Sequence, residues 1–116
     1  MNAMVETFDD RLERSLHTLE SSLEGAAEAR AKAEELEEKK KQVLATMVVH
    51  YRNEGCGIGE AEHQARASKP YKDAADEWAM ANYAYRKTDA QAEARRIAFE
   101  AWRTKSATQR AAMNLR

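Results

Sequence analysis

The sequence predicts an all-α chain: a long antiparallel helical hairpin with a short helix in the connection and a short C-terminal helix. Three observations predict it. The 116 residues hold one Pro and four Gly, and three of those glycines fall together in Gly55-Cys56-Gly57-Ile58-Gly59. The flanking stretches are rich in Ala, Leu, Glu, Lys and Arg, which favour helix. In the second half, Tyr71, Trp78, Tyr85, Ala92 and Phe99 recur every seven residues, the repeat of a seam against another helix.

Taken in order, the first helix spans 6–52. Phe8, Leu12, Leu16, Leu19, Leu23, Ala26 and Ala33 stand three or four apart, and Leu36, Val43, Met47 and Val48 continue the stripe. Gly25 is its one softening point. The glycine cluster makes a turn over 53–59, where a helix C-cap needs positive φ. A short helix follows over 60–67. Ser68 is the N-cap of the next helix, 69–104, with Pro70 in its first turn. Ala74, Ala81, Arg95 and Trp102 flank that helix's heptad stripe. Ser106-Ala107-Thr108-Gln109 has capping-box spacing and predicts a last helix over 107–114. No segment alternates like a strand. The whole of 1–116 reads as one helical-hairpin domain.

Placing Arg52 opposite Pro70 makes facing positions total about 122 in an antiparallel pair. Leu44 then meets Trp78, Leu36 lies near Tyr85, Ala29 near Ala92, and Leu23 meets Phe99. Charge agrees with the pairing. Residues 1–38 hold four basic and eleven acidic side chains, whereas 86–116 hold eight and three. Glu34, Glu35 and Glu38 are expected to approach Arg86 and Lys87, and Glu28 to approach Arg95 and Arg96. One seam leaves part of Trp78, Tyr83, Tyr85 and Trp102 uncovered, which predicts a homodimer, in its simplest form a four-helix bundle.

Composition narrows the function classes. A net charge of −1 supplies no global field toward nucleic acid or membrane. No apolar run reaches about 18 residues, so no transmembrane span is expected. The N-terminus lacks the basic and apolar regions of an export signal, and the single cysteine, Cys56, fits a reducing compartment; a cytoplasmic location is expected. No enzyme is expected, because no nucleophile and base are paired and the carboxylates lie on solvated faces. No cofactor is implied. The glycine loop follows a helix rather than a strand and has no Lys-Ser/Thr after it, so it is not a phosphate cradle. His50, Cys56 and His63 match no compact zinc spacing, and no metal site is assigned. A helix-turn-helix over 44–80 fails on charge: Pro70-Tyr71-Lys72-Asp73-Ala74-Ala75-Asp76-Glu77 would turn three acids toward phosphates.

Two surfaces remain. The acidic face of the first helix carries Glu20, Glu24, Glu28, Glu34, Glu35 and Glu38, which can occupy a protein's DNA-binding channel by standing where phosphates would. More often such a run is the solvated side of a coiled coil. The basic C-terminal third carries Arg95, Arg96, Arg103, Lys105 and Arg110 around Phe99 and Trp102, the mixture that holds single strands by phosphate contact and base stacking. Alternatively, Phe99 is seam, Trp102 is core and the arginines answer the acidic half.

The tail Phe99-Glu100-Ala101-Trp102-Arg103-Thr104, continued by Ala107-Thr108-Gln109-Arg110-Ala111-Ala112-Met113, resembles the C-termini of small helical accessory proteins of bacteriophages and prophages. The turn region from Tyr51-Arg52 to Ala67-Ser68 is similar to theirs as well. The resemblance implies a non-enzymatic accessory role near replication and recombination, in the host-cell cytoplasm, and it assigns no binding residue. Three expectations follow. The first is a protein–protein interaction module, phage-encoded, that binds or inhibits a DNA-processing or host-defence complex through a host or phage protein. The second is a single-stranded nucleic-acid-binding recombination factor using the basic third. The third is a structural coiled-coil scaffold.

Overall fold

The computed structural model describes residues 7–115. Three helices account for nearly all of them: α1 (Phe8–Asn53), α2 (Ile58–Ala67) and α3 (Lys69–Asn114), with no strand among the described residues. The all-α class and the long-helix, short-helix, long-helix order are therefore as the sequence predicts.

Local chemistry sets each boundary. Thr7 caps α1: its Oγ1 accepts from the Asp10 N–H at 3.1 Å, and Asp10 Oδ2 accepts from the Thr7 N–H at 3.3 Å. That reciprocal pair is a capping box opening α1 at Phe8; the predicted start at position 6 lies outside the described residues. At the other end Gly55 takes φ +100°. The Gly55 N–H bonds the Arg52 carbonyl at 3.0 Å and the Cys56 N–H bonds the Tyr51 carbonyl at 3.1 Å. These are the two bonds of a Schellman motif, closing the helix through the glycine predicted to do so. Ser68 caps α3 as predicted: its Oγ accepts from the Tyr71 N–H at 3.4 Å and donates to the Ala65 carbonyl at 2.6 Å, tying α2 to α3 through one residue.

The predicted break near 105–106 does not occur, and α3 runs on to Asn114. No Gly or Pro interrupts that stretch. Ser106, the expected cap of a new helix, lies within α3, and the nearby Thr108 hydroxyl donates to the Thr104 carbonyl at 2.9 Å, a bond compatible with continuous helix.

The chain divides into two compact units, each using both long helices: Met1–Ala26 with Lys87–Arg116, and Ala27–Arg86. In the second unit the seam residues of α1 are Ala29, Ala33, Leu36, Lys40, Val43 and Met47, spaced by alternate threes and fours. Against them stand Tyr71, Ala74, Trp78, Ala81 and Tyr85 of α3, all buried or half-buried. Lys40 lays its ammonium 4.0 Å from the centre of the Trp78 ring, and Lys39 bridges to Glu77 at 3.1 Å. In the first unit Phe8, Leu12, Ser15, Leu19, Ser22 and Ala26 line the seam with Thr88, Ala92, Phe99 and Trp102.

The α3 stripe is the one predicted. The register is not: it is displaced by a little over one helical turn, about four to six residues. Pro70 borders a groove with Val43, Thr46 and Met47 rather than facing Arg52. Trp78 lies with Ala33, Glu37 and Lys40. Tyr85 shares a groove with Ala33, and Phe99 lies with Leu19 rather than Leu23, which is exposed. The connection is no symmetric loop. The Schellman turn hands the chain to α2, whose ten residues advance it about 15 Å before Ser68 starts α3. The end of α1 and the start of α3 therefore need not be level. Leu16 and Leu23, predicted as seam, are exposed, and Ser15 and Ser22 take the inward positions.

The two glycines that bear on α1 predict opposite outcomes for the same substitution. Gly25 lies in unbroken helix, and an added Cβ would sit 3.9 Å from Thr88 Cγ2, an ordinary contact. Gly25→Ala is expected to stabilise by about 0.5–1 kcal/mol. Gly55→Ala forces an L-residue into the left-handed region and is expected to destabilise by about 1–2 kcal/mol. Chemical denaturation of both variants checks the pair of signs.

Candidate interaction surfaces

The six carboxylates expected to form a docking face all lie on α1 with exposed side chains. Their order along the helix places them away from the seam, because each falls between the inward positions of the heptad. Glu20 and Glu24 belong to the first unit; Glu28, Glu34, Glu35 and Glu38 belong to the second. Two are already engaged along their own helix: Glu34 by Arg30 at 3.1 Å and Glu38 by Lys41 at 3.4 Å. Neither of these two bonds reaches Arg86 or Lys87. A partner one turn away on the same helix is reached with little loss of side-chain freedom, so it wins over a longer reach between helices.

The basic third is organised differently from a strand-binding platform. Trp102 is half-buried and stacks on Phe8, with ring centres 5.4 Å apart and an interplanar angle of 18°. Phe99 is buried at 8% exposure and tilts against Trp102 at 6.1 Å. Nucleobase stacking needs an open ring face. Here Phe8 occupies one face of Trp102, Phe99 is largely buried, and guanidinium groups sit on two of the rings. Arg110 lies 3.9 Å from the centre of Phe8, and Arg103 lies 5.9 Å from that of Phe99. Arg96 bonds Glu93 on its own helix, and that hydrogen bond holds the Glu93 carboxyl below its ordinary range. Arg95 donates to the Ser22 hydroxyl rather than approaching Glu28. Lys105 is exposed. The structure thus gathers Trp102, Arg103 and Arg110 around Phe8, keeps Arg96 with Glu93, and sets Arg95 on the seam.

Phe8 and Ser22 lie outside the candidate site residues of either charged surface. Phe8 has a sequence signal, since it occupies the first seam position after the Thr7 cap. Ser22 has none: a serine in a Leu-rich stripe reads as a surface residue until its arginine is located.

Cys56 stands in the turn, half-buried. Partial removal from water, and then the carboxylates of Glu60 and Glu54, raise its thiol above the ordinary range, which lowers the thiolate fraction and its nucleophilicity. His50 points to Glu54, 3.2 Å away, not to Cys56. Among the described residues no group of three His, Cys, Asp or Glu side chains is placed to hold a metal ion, and no helix is long and apolar enough to cross a membrane.

In the first unit Leu19, Phe99 and Trp102 floor a groove of about 310 Å³ beside the seam, with Thr18 on its wall and Arg14 and Arg95 at its edge. Phe99, Trp102 and Arg95 are close together along α3, but the cleft has no signal in the sequence, because it depends on which residues of α1 face them. Comparison with known proteins adds nothing to this geometry: no family model, no curated protein and no solved structure matches the chain.

Proposed function

We propose that the chain is a non-enzymatic protein–protein interaction module, phage- or prophage-encoded and acting in the host cytoplasm. Its α1 carboxylates dock on a basic surface of a DNA-processing or defence protein and block it. The observation that carries this proposal is the contrast between the two charged surfaces. The carboxylates of α1 are exposed, while Phe99 is buried and Phe8 already occupies one face of Trp102. Carboxylates set at helical intervals can compete for a channel built to receive phosphates, since both present anionic oxygens to the same guanidinium and ammonium groups. A homodimer is part of the proposal. Met80 and Tyr83, three residues apart on α3 in the second unit, are among the most exposed large apolar side chains, and a second copy would cover them.

The test is affinity capture from infected or lysogenic cells with the wild-type chain and with a Glu20→Lys, Glu24→Lys, Glu28→Lys variant. A stoichiometric partner is expected, and the variant should retain about a tenth of it or less. Equal capture by both chains removes the acidic face from the account. Salt-sensitive binding of a single-stranded oligonucleotide, weakened by Arg103→Glu and Lys105→Glu, would establish the nucleic-acid function in its place. Sedimentation at several concentrations tests the dimer.

A further inference from the structure

The groove of the first unit has a chemistry opposite to that of the acidic face. Its floor is apolar and aromatic, from Leu19, Phe99 and Trp102. Its edge carries the guanidinium groups of Arg14 and Arg95, and no carboxylate lines it. Arg95 forms no ion pair among the described residues. Its partner is the Ser22 hydroxyl, a neutral acceptor, so its positive charge is not cancelled locally. A guanidinium offers five N–H donors in a fork that fits a carboxylate, and one bond to a hydroxyl leaves most of them available. The lining residues run from Arg14 to Leu19 on α1 and from Arg95 to Trp102 on α3, about 8–11 Å of each helix at 1.5 Å per residue. That length matches two turns of a third helix. The volume is at the lower end for a ligand cleft, room for one large side chain inserted from outside.

We propose that this groove docks an acidic amphipathic helix of a partner protein. One Leu or Phe seats on Leu19, Phe99 and Trp102, and a Glu or Asp side chain one turn away meets Arg95. Charge complementarity selects the occupant: an apolar helix flanked by Lys or Arg would bring like charges to the edge. This contact is independent of the α1 carboxylates and does not need them to be functional, so either can fail without the other.

Trp102 reports occupancy directly. In a Trp78→Phe background the only tryptophan left is Trp102. The full chain in that background is titrated with a synthetic helical peptide, acetyl-Glu-Glu-Leu-Glu-Glu-Phe-Leu-Glu-Glu-amide. Two further probes are the same peptide with every Glu replaced by Lys, and decanoate as a free apolar acid. The acidic peptide should produce a saturable change in Trp102 emission, and Arg95→Gln should weaken it about fivefold or more. Ala98→Met, at an exposed position lining the groove, should do the same by filling it, with the circular dichroism melt unchanged. Should Arg95→Gln fail to fold, the Ala98→Met comparison alone decides. No saturable change overturns the proposal, as does binding that survives Ala98→Met, equal binding of the Lys peptide, or binding of decanoate without binding of the acidic peptide.

Discussion

Ala65→Asp is expected to be the most damaging single substitution in the second unit, removing about 3–5 kcal/mol of stability. Ala65 has no solvent-accessible surface, and neither has Ala61 one turn earlier. A carboxylate there loses its water, and the neutral alanine it replaces leaves no donor prepared for it. Its bulk also has to be accommodated where only a methyl group fits. The position matters beyond its volume, because the Ala65 carbonyl receives the Ser68 hydroxyl that joins α2 to α3. Domains of this size have roughly 5–15 kcal/mol in total, so a loss of that order removes a large fraction of the whole and should lower the unfolding midpoint markedly. Ala67→Asp is the control. It lies on the same short helix with its side chain exposed, and it should cost no more than about 1 kcal/mol through its place at the helix C-terminus. Urea denaturation followed by circular dichroism compares the two. Similar midpoints for both variants would mean that α2 is not seated as described.

The sequence carried the helices further than it carried their pairing, for reasons visible in single residues. On α3 the seam was legible because Tyr71, Trp78, Tyr85 and Phe99 are large, apolar and spaced in multiples of seven, with Ala92 filling the gap. On α1 two stripes compete. Leu12, Leu16, Leu19 and Leu23 satisfy helical spacing together, yet the seam keeps Leu12 and Leu19, turns Leu16 and Leu23 outward, and admits Ser15 and Ser22. A serine is chosen at position 22 because Arg95 arrives there from the other helix, and no pattern within α1 announces that. Register fails for a related reason. Exposed ion pairs are worth only about 0.2–1 kcal/mol each, and they form as readily along one helix as between two, so opposite charge blocks do not fix an alignment. The candidate surfaces divide in the same way. That Glu20, Glu24 and Glu28 face solvent follows from their spacing. That Phe8 occupies one face of Trp102 does not, since the two residues are separated by nearly the length of the chain.

Phe99→Ala should cost about 3 kcal/mol, and Trp102→Ala only about 2 kcal/mol, although tryptophan is the larger side chain. The order follows from burial. Phe99 retains 8% of its surface in water, whereas Trp102 is half-buried and already pays less of its area into the fold. Removing the Phe99 ring takes away the edge against which Trp102 tilts and the face over which Arg103 lies, and it opens the floor of the neighbouring groove. The walls of that space are helix backbones held by their own hydrogen bonds, so they relax only partly and a cavity remains. Removing Trp102 frees the Phe8 ring, but Arg110 still covers one side of it. Hydrogen exchange in Phe99→Ala should quicken within 8–26 and 87–114, the segments that share this aromatic cluster. Equilibrium unfolding of the two variants settles the ranking. A larger loss from Trp102→Ala than from Phe99→Ala would show that the stacked pair of Phe8 and Trp102, rather than the buried phenylalanine, holds the two chain ends together, and the groove would then have to be described around that pair.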